Sequence, residues 1–257
     1  MSFQTSQDDT TFGPSGEKIF PSSTKGQIFI FENKIYSLYS EFINNQYSII
    51  VYNITNNQKK TIYTSDKNPV IRALQVDATT GNIWFGGYLD EPMVGFFATF
   101  KIQPTPTKKE LFTTITVPTV RTPTSPFGAP TNPFGTSTIQ LLNSNALLQQ
   151  SLPPAGTITS ISSLDVQENM RTIETICIVN STSIIYSGIT KKNECVFMKN
   201  SSTNVYKINT TLTKFSVKDI YLNNKQYHVL IEGISSTTNK NAIEMYKIGN
   251  NILLGSV

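Results

Sequence analysis

Apolar and polar positions alternate with a period of two along most of this chain. The first such run is Gln27-Ile-Phe-Ile-Phe31, closed by the turn-forming Glu32-Asn33-Lys34. Ile35–Ser40 follows, then the loop Ile43-Asn-Asn-Gln46, the run Ser48–Ile54, the polar stretch Thr55–Lys60 and the short run Thr61–Tyr63. Period-two alternation puts successive side chains on opposite faces of a strand, and Asn and Gly tolerate the backbone of tight turns. These four runs predict an antiparallel meander. A second unit runs through Val70–Val76, the turn Asp77-Ala-Thr-Thr-Gly-Asn82, Ile83–Tyr88, the turn Asp90-Glu-Pro92 and Val94–Ile102. The rhythm returns over Thr172–Val179, Ser183–Ile189, Glu194–Met198 and Val205–Ile208. It returns again over Val217–Leu222, Tyr227–Gly233 and Ala242–Ile248, with Asn251–Val257 as a terminal strand.

Three stretches break the pattern and divide the chain. Residues 1–24 are polar and read as an N-terminal arm. Residues 25–102 carry the first two meander units. Residues 103–138 hold seven of the 13 prolines and few charges. Proline cannot donate to a β-ladder, so this segment reads as a linker or an ordered strap, with Glu110–Val117 an edge strand at most. Residues 139–257 carry the remaining meander units. Within them, the apolar spacing of 139–152 allows one short helix.

An aromatic-polar-Ile motif recurs: Val51-Tyr-Asn-Ile54, Thr99-Phe-Lys-Ile102, Val205-Tyr-Lys-Ile208 and Met245-Tyr-Lys-Ile248. Repeats near 45 residues suit a four-stranded propeller blade. The segment Asp77-Ala-Thr-Thr-Gly81-Asn82-Ile83-Trp84-Phe85-Gly86-Gly87 resembles the blade signature of sensor-type and lyase-type β-propellers. Its Gly81-Asn82 pair suits a tight hairpin. Ile83 and Phe85 would face one side of the strand and Trp84 the other. The glycine pair would admit a neighbouring backbone closely. The expected fold is all-β, built of antiparallel four-stranded meanders and β-propeller-like with about four to five blades. A β-sandwich or two small β domains are the alternatives.

Composition narrows the function classes. Charged residues make up 15% and hydrophobic residues 38%, with a formal charge of +4, so the chain is not globally disordered. Its polar mass is neutral: 25 Ser, 33 Thr and 23 Asn. Lys outnumbers Arg 18 to 3, and Ile and Asn are abundant, a composition that resembles proteins of large AT-rich DNA viruses or of AT-rich protists and bacteria. The lysine doublets at 59–60, 108–109 and 191–192 read as solvated turns, so no nucleic-acid partner is expected. No apolar run approaches the ~20 residues of a membrane span, and no signal peptide is read at Met1–Asp9. Four glycosylation sequons are no more than this Asn-, Ser- and Thr-rich sequence gives by chance. An intracellular location, cytoplasmic or virion and not secreted, is expected.

Reactive groups are sparse. His228 is the only histidine and sits in a strand pattern, where a ring with satisfied hydrogen bonds is expected. Cys177 and Cys195 fall on the first and third strands of one unit, about 9.6 Å apart at two strand spacings. That is too far for a disulfide, so two free thiols are expected, at least one in the core. The Asp77–Asn82 turn lacks the alternating acids of a calcium loop. No phosphate-cradling glycine loop and no nucleophile elbow occurs. No catalytic, cofactor-binding or metal residue is assigned, and no cofactor is expected.

The Pro-rich strap carries Ser125-Pro-Phe-Gly128 and Asn132-Pro-Phe-Gly135, seven residues apart. Asn132-Pro133-Phe134 resembles the tripeptide read by endocytic EH-domain modules. Phe127, Asn132, Pro133 and Phe134 are the candidate partner-contact residues. Together these readings point to a non-enzymatic structural or interaction protein, such as a minor virion or assembly component of a large DNA virus. A propeller-type ligand-binding or sensor module is the alternative. A propeller lyase or glycosidase, with paired carboxylates or His228 at a concave mouth, is a more distant one. The partners are other proteins, and the oligomeric state is left open.

Overall fold

A computed structural model describes residues 26–105, 153–202, 204–224 and 226–249. The expected arm at 1–24, the helix near 139–152 and the terminal strand at 251–257 lie outside the described residues, as does most of the Pro-rich strap. Backbone contacts divide the chain into two units: residues 103–157, and residues 1–102 with 158–257. Of the first, the described residues show Gln103 donating to Thr157 and Gly156 donating to Gln103.

The larger unit is all-β, with no helix among its described residues. Sheet 1 is the meander β1 (Gln27–Phe31), β2 (Lys34–Ile43), β3 (Gln46–Asn53) and β4 (Gln58–Ser65). Sheet 2 is β5 (Pro69–Asp77), β6 (Asn82–Leu89), β7 (Val94–Lys101) and the short β8 (Asp165–Gln167). Sheet 3 is β9 (Met170–Asn180), β10 (Ser183–Thr190), β11 (Cys195–Lys199) and β12 (Val205–Ile208). Sheet 4 has three described strands: β13 (Leu212–Asn223), β14 (Gln226–Ser235) and β15 (Asn241–Gly249). All pairings are antiparallel between neighbours. The expectation of all-β antiparallel meanders therefore holds. The chain leaves sheet 2 after β7 and returns at β8, so residues 103–157 are inserted between two strands of one sheet.

The hairpin turns follow from their residues. Glu32-Asn33 and Asn44-Asn45 have positive φ at both positions, between 46° and 63°. Two such residues in a two-residue loop give the turn whose twist matches the flanking strands, and Asn is the non-Gly residue that tolerates it. In the Asp77–Asn82 turn only Gly81 has positive φ, 74°. Asn82 is already the first residue of β6, so the hairpin is a four-residue loop rather than a Gly-Asn turn.

The sheets are joined by layers of side chains. Leu38, Val51, Ile83, Phe85, Phe96 and Phe100 fill the layer between sheets 1 and 2. Ala73, Trp84, Phe97, Ile173, Ile184 and Tyr186 fill the layer between sheets 2 and 3. Ile185, Cys195, Phe197, Val217, Val229 and Ile231 fill the layer between sheets 3 and 4. Strand β6 thus faces two cores at once, Ile83 and Phe85 on one side and Trp84 on the other, as its alternation predicts. A Cβ built on Gly87 would stand 1.9 Å from the Val70 carbonyl oxygen, so this position admits only glycine.

Across the layers, β5 packs on β1 and β2, β9 packs on β5, β6 and β7, and β13 packs on β9 and β10. The first strand of each sheet therefore seats against the sheet before it. The aromatic-polar-Ile segments lie on third strands in sheets 1, 2 and 4. There Phe100, Ile102 and Ile248 face the preceding sheet. Val205–Ile208 instead forms β12, a fourth strand. That copy follows ordinary strand alternation rather than the repeat.

Candidate functional site

The first strands carry a recurrence of their own. Register shifts leave Arg72 in β5, Arg171 and Glu174 in β9 and Lys218 in β13 without a cross-strand partner. Each is a β-bulge, where one extra residue bends the strand and re-aims its side chain. The packing shows the phase change. Ile71 and Ala73, two apart, enter different layers. Ile173 and Ile176, three apart, share one, and so do Val217 and Ile220. A regular strand would do the reverse in all three cases. An aliphatic residue directly before a charged one marks each of three bulges: Ile71-Arg72, Ile173-Glu174 and Val217-Lys218.

The second strands match this recurrence. Ile83-Trp84-Phe85-Gly86-Gly87 in β6 corresponds in register to Ile184-Ile185-Tyr186-Ser187-Gly188 in β10. Gly87 lies opposite Ile71 and Gly188 opposite Ile173, each beside the bulge. A Cβ on Gly188 would stand 2.0 Å from the Thr172 carbonyl oxygen, much as at Gly87.

The four bulged side chains form one electrostatic group. Glu174 is half-buried, and its Oε2 accepts a hydrogen bond from the Val217 backbone N–H at 2.6 Å, reaching from β9 to β13. Burial pushes its carboxyl above the usual range. The Val217 N–H and the charges of Arg72, Arg171 and Lys218 pull it partly back. Lys218 is also held by Glu232 at 2.7 Å. Among the described residues no ion pair uses either arginine. Gln27 in β1 donates to the Arg72 carbonyl at 3.3 Å, which ties the fourth first strand to the same place.

Two other features bear on function. The outward face of sheet 4 exposes Ile243 (66%), Met245 (52%) and Tyr221 (38%). His228 lies on this face and is 7% exposed. Its ring stacks on Tyr221 at 5.1 Å, and Nδ1 is buried without a hydrogen-bond partner. The expected satisfied ring is therefore corrected at Nδ1, where stacking rather than hydrogen bonding holds the imidazole. Beside this sheet, a cleft of about 460 Å³ is lined by Phe197, Tyr206, Ile208, Tyr246 and Ile248.

The Asp77 carboxylate accepts from the N–H and O–H groups of Thr79 and Thr80, at 2.5 to 3.3 Å. These bonds lower its pKa. The four donors are the turn's own, so the carboxylate organises the hairpin. Cys177 and Cys195 are free thiols on β9 and β11, on either side of β10. Cys195 is buried, and burial pushes its thiol up to about 12. Phe127, Asn132, Pro133 and Phe134 lie outside the described residues. Among the described residues no cluster of three His, Cys, Asp or Glu could hold a metal ion. No described helix is long and apolar enough to cross a membrane.

Fold and site together define an all-β protein of stacked antiparallel meanders, with charged bulges gathered on its first strands. No family model matches the chain, and no curated protein matches its sequence.

Proposed function

We propose that this chain is a non-catalytic β scaffold that acts through contact with other proteins, as a structural or interaction component of an assembly. Its composition favours a minor component of a large DNA virus particle as the setting. The observation that carries the reading is the outward face of sheet 4. The inner sheets bury apolar residues on both faces, whereas sheet 4 leaves Tyr221, Ile243 and Met245 in water. Contiguous exposed apolar side chains on a globular protein mark interaction surfaces. The test is quantitative mass spectrometry of purified particles or complexes, with wild-type chain beside the Ile243→Glu, Met245→Glu double variant. The variant should keep its circular dichroism and leave the assembly. A monomer that never co-purifies with an assembly, or a variant that incorporates fully, overturns the proposal.

A ligand-binding module of the propeller type is the second reading. It is favoured by the charged bulges, because propeller blades surround a central channel, where a ligand-binding module of this type would place polar groups. Sheet 4 does not pack extensively on sheet 1 among the described residues, so ring closure belongs to this proposal.

A further inference from the structure

The chain is frugal with arginine. It uses 18 lysines for surface charge and only three arginines, Arg72, Arg121 and Arg171. Two of the three stand at bulges of adjacent first strands, within electrostatic reach of the same carboxylate, Glu174. Neither makes an ion pair with that carboxylate or with any other described acid. Arg differs from Lys in its planar fork of five N–H donors, which matches the two oxygens of a carboxylate or phosphate.

We infer that Arg72 and Arg171, with Lys218 at their side, form a binding site for a small oxyanion, the carboxylate or phosphate group of a ligand. The inference deepens the second functional reading and stands independently of what docks on sheet 4. Glu174 sets the site's tone. One of its oxygens is committed to the Val217 N–H, so it steers the arginines electrostatically without saturating their donors. Arg72, Arg171 and Lys218 face Glu174, and Glu232 engages Lys218, so the two arginines are the cations left without an ion pair for an incoming anion. The bulges account for the aim of the side chains. In a regular strand Arg72, Arg171 and Glu174 would each stand on a pleat face that here is packed against another sheet.

The mutational pattern separates a ligand site from mere counter-ions of a half-buried acid. The full chain is titrated calorimetrically with inorganic phosphate in one arm and succinate in the other, at constant ionic strength. Wild type should bind at least one of the two. The preferred arm identifies the ligand group as phosphate or carboxylate. Arg171→Gln and Arg72→Gln should each weaken binding tenfold or more. Arg171→Lys, which keeps the charge but loses the fork, should recover only part of it. Glu174→Gln removes the competing carboxylate and should tighten binding severalfold. Lys240→Gln, on a turn elsewhere, should change nothing. Arg72 is solvent-exposed, so its variants will fold even where those of Arg171 do not, and circular dichroism checks each. Absence of binding in both arms overturns the inference. So does unchanged affinity in Arg72→Gln, which would leave the arginines as counter-ions of Glu174.

Discussion

Sheets 2 and 4 are built from the same plan and meet different surroundings. Both begin with a bulged first strand carrying an exposed cation, Arg72 or Lys218. Sheet 2 is buried on both sides, and its middle strand β6 reads Ile-Trp-Phe-Gly-Gly, apolar at every position and glycine where the neighbouring backbone presses. The middle strand of sheet 4 reads Tyr-His-Val-Leu-Ile. Its Tyr227, Val229 and Ile231 enter the core, and its other face carries the stacked His228 beneath Tyr221. Occupancy of the second face therefore decides how hard neighbouring atoms press on a strand, 1.9 Å from a Cβ at Gly87 against 2.9 Å at Gly233, and whether its other face is left available to a partner. A buried interface demands close approach, whereas an open face demands only solubility and shape.

The sharpest way to break this comparison is to add volume where sheet 2 or 3 has none. Gly87→Val and Gly188→Val would each force a side chain against backbone that cannot retreat. A loss of about 3 kcal/mol or more, or failure to fold, should follow in denaturant unfolding. Gly233 in β14 meets side-chain as well as backbone atoms at 2.9 to 3.0 Å, so Gly233→Ala should cost less than Gly87→Ala.

Removing volume comes next. Ile173 is fully buried between sheets 2 and 3, and Ile173→Ala should cost about 3–4 kcal/mol. Met245→Ala on the open face of sheet 4 should change stability by no more than about 0.5 kcal/mol. Similar losses at both positions would mean that sheet 4 is covered in solution.

A smaller effect lies in the pH dependence contributed by Glu174. Its folded pKa is raised above the ordinary 4.5, so the folded state holds the proton more tightly than the unfolded state does. The stabilisation is fully present below about 4.5 and is lost as pH rises through the raised folded value. Arg72 on β5, Arg171 on β9 and Lys218 on β13 face the carboxyl and limit the loss, and the Cys195 thiol on β11 is neutral in this range. Stability of wild type relative to Glu174→Gln should therefore fall across that window and then level off. A flat difference would place the carboxylate in water.

A second pH-dependent effect is expected at Asp77. Its carboxylate is held low by Thr79 and Thr80, so its contribution is present above the ordinary 3.8 and fades as pH falls through the folded value. Asp77→Ala should cost about 1 kcal/mol at neutral pH, and less in acid.

The strands were legible in the sequence because alternation and Asn-rich turns report directly on pleat and hairpin. Gln27–Phe31 forms β1 with those bounds, and Ser183–Ile189 falls one residue short of β10. The opposed faces of Ile83, Trp84 and Phe85 were readable for the same reason, as was the separation of the two cysteines. The return of sheet 2 at β8 was not, because Asp165-Val-Gln167 is too short and polar to show alternation. The charged bulges were missed for a subtler reason. A single Arg, Glu or Lys inside an alternating run looks like an ordinary exposed position. Only apolar spacing of three, as in Ile173–Ile176 and Val217–Ile220, betrays the extra residue. Nor could pattern alone reveal that Arg72 and Arg171 both reach Glu174, since about a hundred residues separate them and only the packing of β9 on β5 brings their strands together.

Methionine oxidation tests the contrast between the enclosed layers and the open face in one experiment. Met170 is 1% exposed in the layer between sheets 2 and 3, and Met245 is half exposed on sheet 4. Peptide mapping of the native chain after brief peroxide treatment should find Met245 converted to the sulfoxide while Met170 stays intact until the protein unfolds. Equal rates at the two methionines, or protection of Met245 in the isolated monomer, would contradict the account.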